Sequence, residues 1–214
     1  MPLPPSRYPL REALRGAVPD LARRRAIETV VRKMGLFPGD RGIDIGCGTG
    51  YLAVALARSF KRCRFVGADP DRAALEVARA NAKAEDALAR LDLVQADPRH
   101  LPFKDETFAI ATSAFHFSTL RGPRPTLESV FRVVFFYGKV LLLDVDLARG
   151  AAAEAATPKG VQREVFREST LEAMRDMGFG KVKEQRVEIL PGGGSVILIT
   201  AKRFEGDEEP DSEA

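Results

Sequence analysis

The stretch Arg41-Gly42-Ile43-Asp44-Ile45-Gly46-Cys47-Gly48-Thr49-Gly50, followed by Tyr51-Leu52-Ala53-Val54-Ala55-Leu56-Ala57, decides the fold. Residues 41–46 read as a short buried strand, and residues 51–57 continue as a helix. Between them Gly46, Gly48 and Gly50 recur at two-residue spacing. Lacking a Cβ, they let the backbone turn sharply and let a ligand lie directly against main-chain N–H groups. The helix N-terminus facing this loop favours an anionic ligand group. The pattern is a nucleotide-loop signature, with a tight turn that holds no ligand as its plainer alternative. Dinucleotide fingerprints place their third glycine one residue later, as G-x-G-x-x-G, which disfavours NAD. Asp44, two residues before the first glycine, is a second departure from that pattern.

Outward from this stretch, residues 64–68, 91–95, 108–113 and 139–145 read as further buried strands. Helices alternate with them. Asp71 to Lys83 carries Ala74, Leu75, Ala78 and Ala82 on one face, and Thr126 to Phe136 carries Leu127, Val130, Phe131 and Val134. Such alternation predicts an α/β, Rossmann-like, doubly wound sheet, mostly parallel. From Ser169 a short helix with Leu171, Met174 and Met177 runs to Gly178; Val182 to Leu190 then turns through Pro191-Gly192-Gly193-Gly194 into Val196 to Ala201. The expected ending is a C-terminal antiparallel hairpin, which completes seven strands. Ahead of the sheet, Asp20 can cap a helix bearing Ile27, Val30, Val31 and Met34, with Lys33 in its last turn and Gly35 as its stop. The expected organisation is one domain over residues 1–204. Residues 1–35 form its N-terminal cap region, residues 147–165 form either a lid or a plain connection, and residues 205–214 are a disordered acidic tail.

The chain has 33 Lys+Arg against 30 Asp+Glu in 214 residues, a formal charge of +3, although the tail alone carries Glu205, Asp207, Glu208, Glu209, Asp211 and Glu213. A basic body is compatible with nucleic acid but more often reflects a solvated surface. Cys47 and Cys63 suggest neither a disulfide framework nor a metal cluster, and with only His100 and His116 beside them no metal site is expected. No charged n-region precedes an apolar segment, and no apolar run approaches the roughly 18 residues of a membrane span, so a cytoplasmic protein without a span is expected.

Three acids fall at the ends of three successive predicted strands: Asp44, Asp69 and Asp97. In an open α/β sheet ligands lie outside those carboxyl ends, where the strand order reverses. An ionised carboxylate only accepts hydrogen bonds, so Asp69 suits both hydroxyls of a ribose diol, and Asp97 suits an exocyclic amine. Taken singly, Asp69-Pro70 and Asp97-Pro98 also read as turn starts or helix caps.

Residues 41 to about 145 resemble the core of a class I S-adenosylmethionine (SAM) dependent methyltransferase, through D-x-G-x-G-x-G at Asp44 to Gly50. More narrowly they resemble the small-molecule group that includes the ubiquinone and menaquinone biosynthesis enzymes, through Gln95-Ala96-Asp97, Leu101-Pro102-Phe103 and Asp105-Glu106-Thr107-Phe108. The resemblance implies SAM as cofactor and S-adenosylhomocysteine as product. It places the methionine part on Asp44, Gly46, Cys47, Gly48 and Gly50, the ribose on Asp69 beside Pro70, and adenine on the Asp97 carboxylate and the Ala96 N–H. The Ser113 carbonyl would meet the methionine ammonium. Two departures bear on substrate handling. Ala109 stands where the group commonly has an acid, and Phe135-Phe136-Tyr137 replaces a polar turn.

After the fourth strand stands Thr112-Ser113-Ala114-Phe115-His116-Phe117 rather than an Asn-Pro-Pro-Tyr type motif, which argues against amino methylation of adenine or glutamine. His116 is the candidate general base, or else a hydrogen-bonded histidine between two phenyl groups. Phe115, Phe117 and, from the N-terminal segment, Tyr8 are candidate acceptor contacts, or else core and terminal aromatics. The leading expectation is methyl transfer to a small molecule by in-line displacement. The alternatives are an RNA or protein methyltransferase, with Arg23, Arg24, Arg25 and Lys33 as a basic edge, and a silent SAM-binding partner. Phe135-Phe136-Tyr137 motivates the last as a dimer or partner contact, unless those rings fold over the sheet edge.

Overall fold

A computed structural model of the chain describes residues 18–120, 122–146, 166–190 and 194–204. Tyr8, the segment 147–165, the tip of the predicted hairpin at 191–193 and the acidic tail lie outside the described residues. The strands are β1 (Arg41–Ile45), β2 (Arg64–Asp69), β3 (Leu91–Gln95), β4 (Phe108–Ala114), β5 (Val134–Asp146), β6 (Phe179–Ile189) and β7 (Ser195–Arg203). They form one sheet in the order β3-β2-β1-β4-β5-β7-β6. The first five strands pair in parallel, whereas β7 runs antiparallel to both β5 and β6. This is the Rossmann-like, mostly parallel seven-stranded sheet with an antiparallel C-terminal pair.

Period-two alternation along β5 feeds two cores. Leu141, Leu143 and Val145 join the cluster under α1 (Asp20–Lys33) and α2 (Tyr51–Ser59), while Val140 and Leu142 join the cluster under α4 (Arg124–Val133) and α5 (Phe166–Asp176). α3 (Arg72–Ala84) follows β2 and is capped by Asp71, whose carboxylate accepts from the Ala73 and Ala74 N–H groups. Asp69 is therefore not that helix's cap. Asp20 is not a cap either: Pro19 holds the cap position, and Asp20 is the first residue of α1, accepting from Arg23 Nη1 at 2.9 Å.

The helix expected over Thr126 to Phe136 stops at Val133, and β5 begins at Val134, five residues earlier than predicted. The reason is an irregularity in pairing with β4. Phe108 pairs with Val134 but Ile110 pairs with Lys139, so the chain between makes an excursion that includes Tyr137 at φ 62°. Phe135 and Tyr137 are exposed there, while the Phe136 ring lies 4.1 Å from the Arg203 guanidinium, which also covers Phe131 at 4.8 Å. Both departures from the family pattern thus sit at the amino ends of their strands. Ala109 is the second residue of β4, five residues and about 17 Å of strand from Ala114 at the carboxyl end.

Candidate functional site

The strand order reverses between β1 and β4, which opens a crevice at their carboxyl ends. β1 delivers Asp44 there, and the chain then turns through Gly46, Gly48 and Gly50 at φ 63°, 55° and 79° into α2. Position 46 admits no side chain: a Cβ would lie 2.3 Å from His116 Cγ. The loop is held from outside as well. Gly48 N–H donates to Asp69 Oδ2 at 2.7 Å, Cys47 N–H donates to the Ala68 carbonyl, and Asn81 of α3 donates to the Thr49 carbonyl at 2.9 Å.

Beside this loop lies a cavity of about 60 Å³, lined by Asp44, Cys47, Thr49, Tyr51, Leu52, Ala114 and Phe115, with Arg23 and Ile27 from α1. Asp44 is 1% exposed, and Thr112 Oγ1 donates to its Oδ1 at 3.2 Å across β1 and β4. Ser113, expected at the methionine end, lies one residue deeper. Its hydroxyl donates to the Ile45 carbonyl at 2.8 Å, and Ala114 and Phe115 form the cavity wall. Phe115 has φ 56°, a left-handed conformation costly for a bulky residue, held by its N–H bond to the Leu143 carbonyl.

At the predicted ribose end, Asp69 is fully buried, with Oδ2 on Gly48 N–H and Oδ1 on Asp71 N–H at 2.9 Å. The Pro70 carbonyl accepts from Gln95 Nε2. The Ala96 N–H, expected to face adenine, instead donates to the Asp69 carbonyl at 3.1 Å, because β2 and β3 remain paired up to that residue. Asp97 is partly exposed and grips Arg99, whose Nε and Nη2 donate to its carboxylate. The Arg99 hydrogen bonds hold the Asp97 carboxyl down at about 2, so it is an ionised acceptor at neutral pH.

His116 and both flanking phenyl rings are buried, but they divide between the two sides of the sheet. Phe115 packs toward α1 and α2, and Phe117 packs into the α4 and α5 core. The structure therefore brings Phe115 and His116 to the glycine loop and leaves Phe117 in the core. Behind this turn stands Asp144 of β5, 1% exposed, which accepts from the Ser118 N–H at 2.9 Å and the Ser118 hydroxyl at 2.6 Å. Burial pushes its carboxyl up to about 6, against the pull of the Ser118 hydrogen bonds.

The native chain thus keeps the Asp144 proton to a higher pH than the unfolded chain, where an aspartate releases it near 3.9. Between those values the native state binds more protons, so this group's contribution to stability is full at low pH and declines as pH rises toward 6. The loss is about 3 kcal/mol by pH 7, at roughly 1.4 kcal/mol per pKa unit. Urea unfolding of the wild type and Asp144→Asn at pH 4 and pH 7 checks this. The stability difference between the two proteins should change by about that amount, in favour of the variant at pH 7. Parallel pH dependences in the two proteins would refute it.

Arg23, Thr112 and Asp144 escaped the sequence reading. Arg23 stands among three arginines that look like a surface run. Thr112 acts across the sheet, and Asp144 acts through a turn 26 residues away in sequence. Arg23 could have been found from the α1 spacing, which places it one turn before Ile27 on the buried face, while Arg24 and Arg25 are exposed. Among the described residues there is no group of three or more His, Cys, Asp or Glu able to hold a metal ion. No described helix is long and apolar enough to cross a membrane.

Residues 43–136 match a family described as a methyltransferase domain. A demethylmenaquinone methyltransferase of Lactobacillus johnsonii is 30% identical over 114 residues, which cover 53% of this chain and 47% of that protein. The match thus spans about half the length of this curated relative. Among solved structures, the [4+2]-cyclase SpnF superposes with a TM-score of 0.72 at 20% identity, covering 85% of this chain and 82% of that one. The geranyl diphosphate C-methyltransferase of Streptomyces coelicolor, solved with Mg2+, geranyl diphosphate and S-adenosyl-L-homocysteine, gives a TM-score of 0.72 at 14% identity, with coverages of 85% and 79%. At these identities the two structures establish the fold alone.

Proposed function

We propose that this chain, whose residues 43–136 match the methyltransferase-domain family, transfers the methyl group of SAM to a small-molecule acceptor and releases S-adenosylhomocysteine. The observation that carries this reading is the glycine turn at the β1 and β4 reversal, which sets a left-handed backbone loop between two buried carboxylates, Asp44 and Asp69, at the carboxyl ends of the strands. The cradle fits SAM: Asp44 borders a cavity the size of an amino-acid head group, and Asp97 supplies an ionised acceptor farther along the same edge. Asp69 Oδ2 accepts from the Gly48 N–H and Oδ1 from the Asp71 N–H, so main-chain donors on two elements orient the carboxylate proposed to meet the ribose.

When bound, SAM supplies an activated methyl group on sulfur with a neutral leaving group. The protein's part is alignment and exclusion of water. The Gly46 to Gly50 turn leading into α2 would hold the cofactor, and the strained Phe115 backbone fixes the end of β4 beside that turn. His116, whose ring packs on Gly46 with both nitrogens buried, is the residue we assign to proton removal from an acceptor. The demethylmenaquinone methyltransferase relative directs attention to a menaquinone-type acceptor.

RNA is disfavoured as acceptor because Arg23 turns into the cavity and does not extend an outer basic surface with Arg24 and Arg25. The exposed Phe135 and Tyr137 favour a second, compatible reading, a protein contact at the far end of the sheet. Incubation with methyl-tritiated SAM and a cell extract, fractionated into small molecules, RNA and protein, tests the first reading. Label should enter the small-molecule fraction; label confined to RNA or protein would refute the acceptor class.

A further inference from the structure

We infer that the acidic segment 205–214 docks along the groove between α1 and α2 of its own chain, as an extended strap held by ion pairs. The groove consists of two adjoining hollows, of about 540 and 610 Å³, that share Ile27, Glu28, Ala55 and Arg58. It runs from Arg24 and Tyr51, near the glycine loop, to Arg32 in the last turn of α1 and Lys61 just past α2. Four exposed cations line it, Arg24, Arg32, Arg58 and Lys61, against the acids Glu28 and Glu85, and Glu85 is paired with Arg58 at 2.7 Å. Ile27, Val31 and Ala55 give it an apolar floor. A long trough with an excess of cations fits an extended anionic chain.

Charge and the place where the chain leaves the sheet identify the occupant. Residues 205–214 carry six acids and no Lys or Arg, and five of the acids, Glu205, Asp207, Glu209, Asp211 and Glu213, recur at every second residue. In an extended chain that spacing turns all five to one side, about 7 Å apart. The segment starts beside the Arg32 and Lys61 end of the groove. Lys202 of β7 pairs with Lys139 of β5, Lys139 Nζ donates to the Met34 carbonyl at 3.2 Å, and Met34 follows α1 directly. Ten extended residues reach up to about 33 Å, against about 21 Å for the 14 residues of α1. Attachment to β7 holds the segment at a high effective concentration beside the groove, ahead of any free anionic partner. Ile27 lines both the groove and the cavity beside the glycine loop, so the docked strap braces the helix that walls the candidate site.

A nitroxide on Ser212→Cys of the full chain, whose two native cysteines are buried, tests this by paramagnetic broadening of backbone amide signals. Amides of α1 and α2 that border the groove near Arg24 and Tyr51 should lose most of their intensity, and should regain it in about 1 M salt, where the Debye length is about 3 Å. Arg32→Glu with Lys61→Glu should abolish the broadening while the signals of the sheet stay in place, and adding Asp207→Lys with Glu209→Lys should restore it. A mixture of nitroxide-bearing chains with isotope-labelled chains that lack the nitroxide should show no broadening, because the contact lies within one chain. Broadening spread evenly over the surface, broadening indifferent to the first charge reversal or not restored by the second, or broadening that appears in the mixture overturns the inference.

Discussion

Gly46→Ala is expected to abolish binding of S-adenosylhomocysteine and to lower stability by about 2 to 4 kcal/mol. A left-handed conformation costs a residue with a Cβ roughly 1–2 kcal/mol, and Gly46 has φ 63°. The new methyl group would also sit 2.3 Å from His116 Cγ and 2.6 Å from both Cδ2 and Nδ1. The imidazole has little room to withdraw. Its main-chain carbonyl is held by the Thr119 N–H and hydroxyl, and the next residue, Phe117, is locked in the core. Relief of the clash must therefore move the loop that forms the cradle. Urea unfolding measures the stability cost, and the double variant Gly46→Ala with His116→Ala should recover its steric part but not its backbone part. Wild-type affinity in Gly46→Ala would contradict the packing described for this turn.

Asp69→Ala carries the second large effect, because one buried carboxylate serves two elements. Its loss strands the Gly48 and Asp71 N–H groups, and a buried donor left unsatisfied costs about 1–3 kcal/mol. Removal of the Gly48 contact also frees the middle of the glycine turn. S-adenosylhomocysteine affinity should fall more than about a hundredfold, which corresponds to roughly 3 kcal/mol, and stability should fall with it. Asp69→Asn keeps one acceptor and should lie between the two. Should Asp69→Ala bind like the wild type, the carboxylate would be neither a ribose contact nor a loop tether.

The fold was legible because its signals are local. Strand, glycine turn and helix follow one another within residues 41–57, and alternate residues of β5 mark two buried faces. The start of β5 was not legible, because Phe135, Phe136 and Tyr137 suit either element type. Their strand state depends on a partner 26 residues away, Phe108 opposite Val134. Asp44, Asp69 and Asp97 could be placed at the crevice because each lies at or just past the carboxyl end of its strand, and strand ends face the crevice. What each acid touches could not be read, since Asp69 bonds to a loop 21 residues earlier in the chain. Arg23 was hidden for a similar reason. In sequence it is one of three like charges, and only the packing of α1 turns it toward Asp44's cavity while its neighbours face outward.

The central claim, that the turn from Gly46 to Gly50 is a SAM cradle and not a dinucleotide site, is tested most directly by calorimetric titration of the full chain with S-adenosylhomocysteine and, separately, with NAD. S-adenosylhomocysteine should bind at one site per chain, be displaced by SAM and leave NAD without measurable heat. Saturable binding of NAD with no response to S-adenosylhomocysteine would contradict the account.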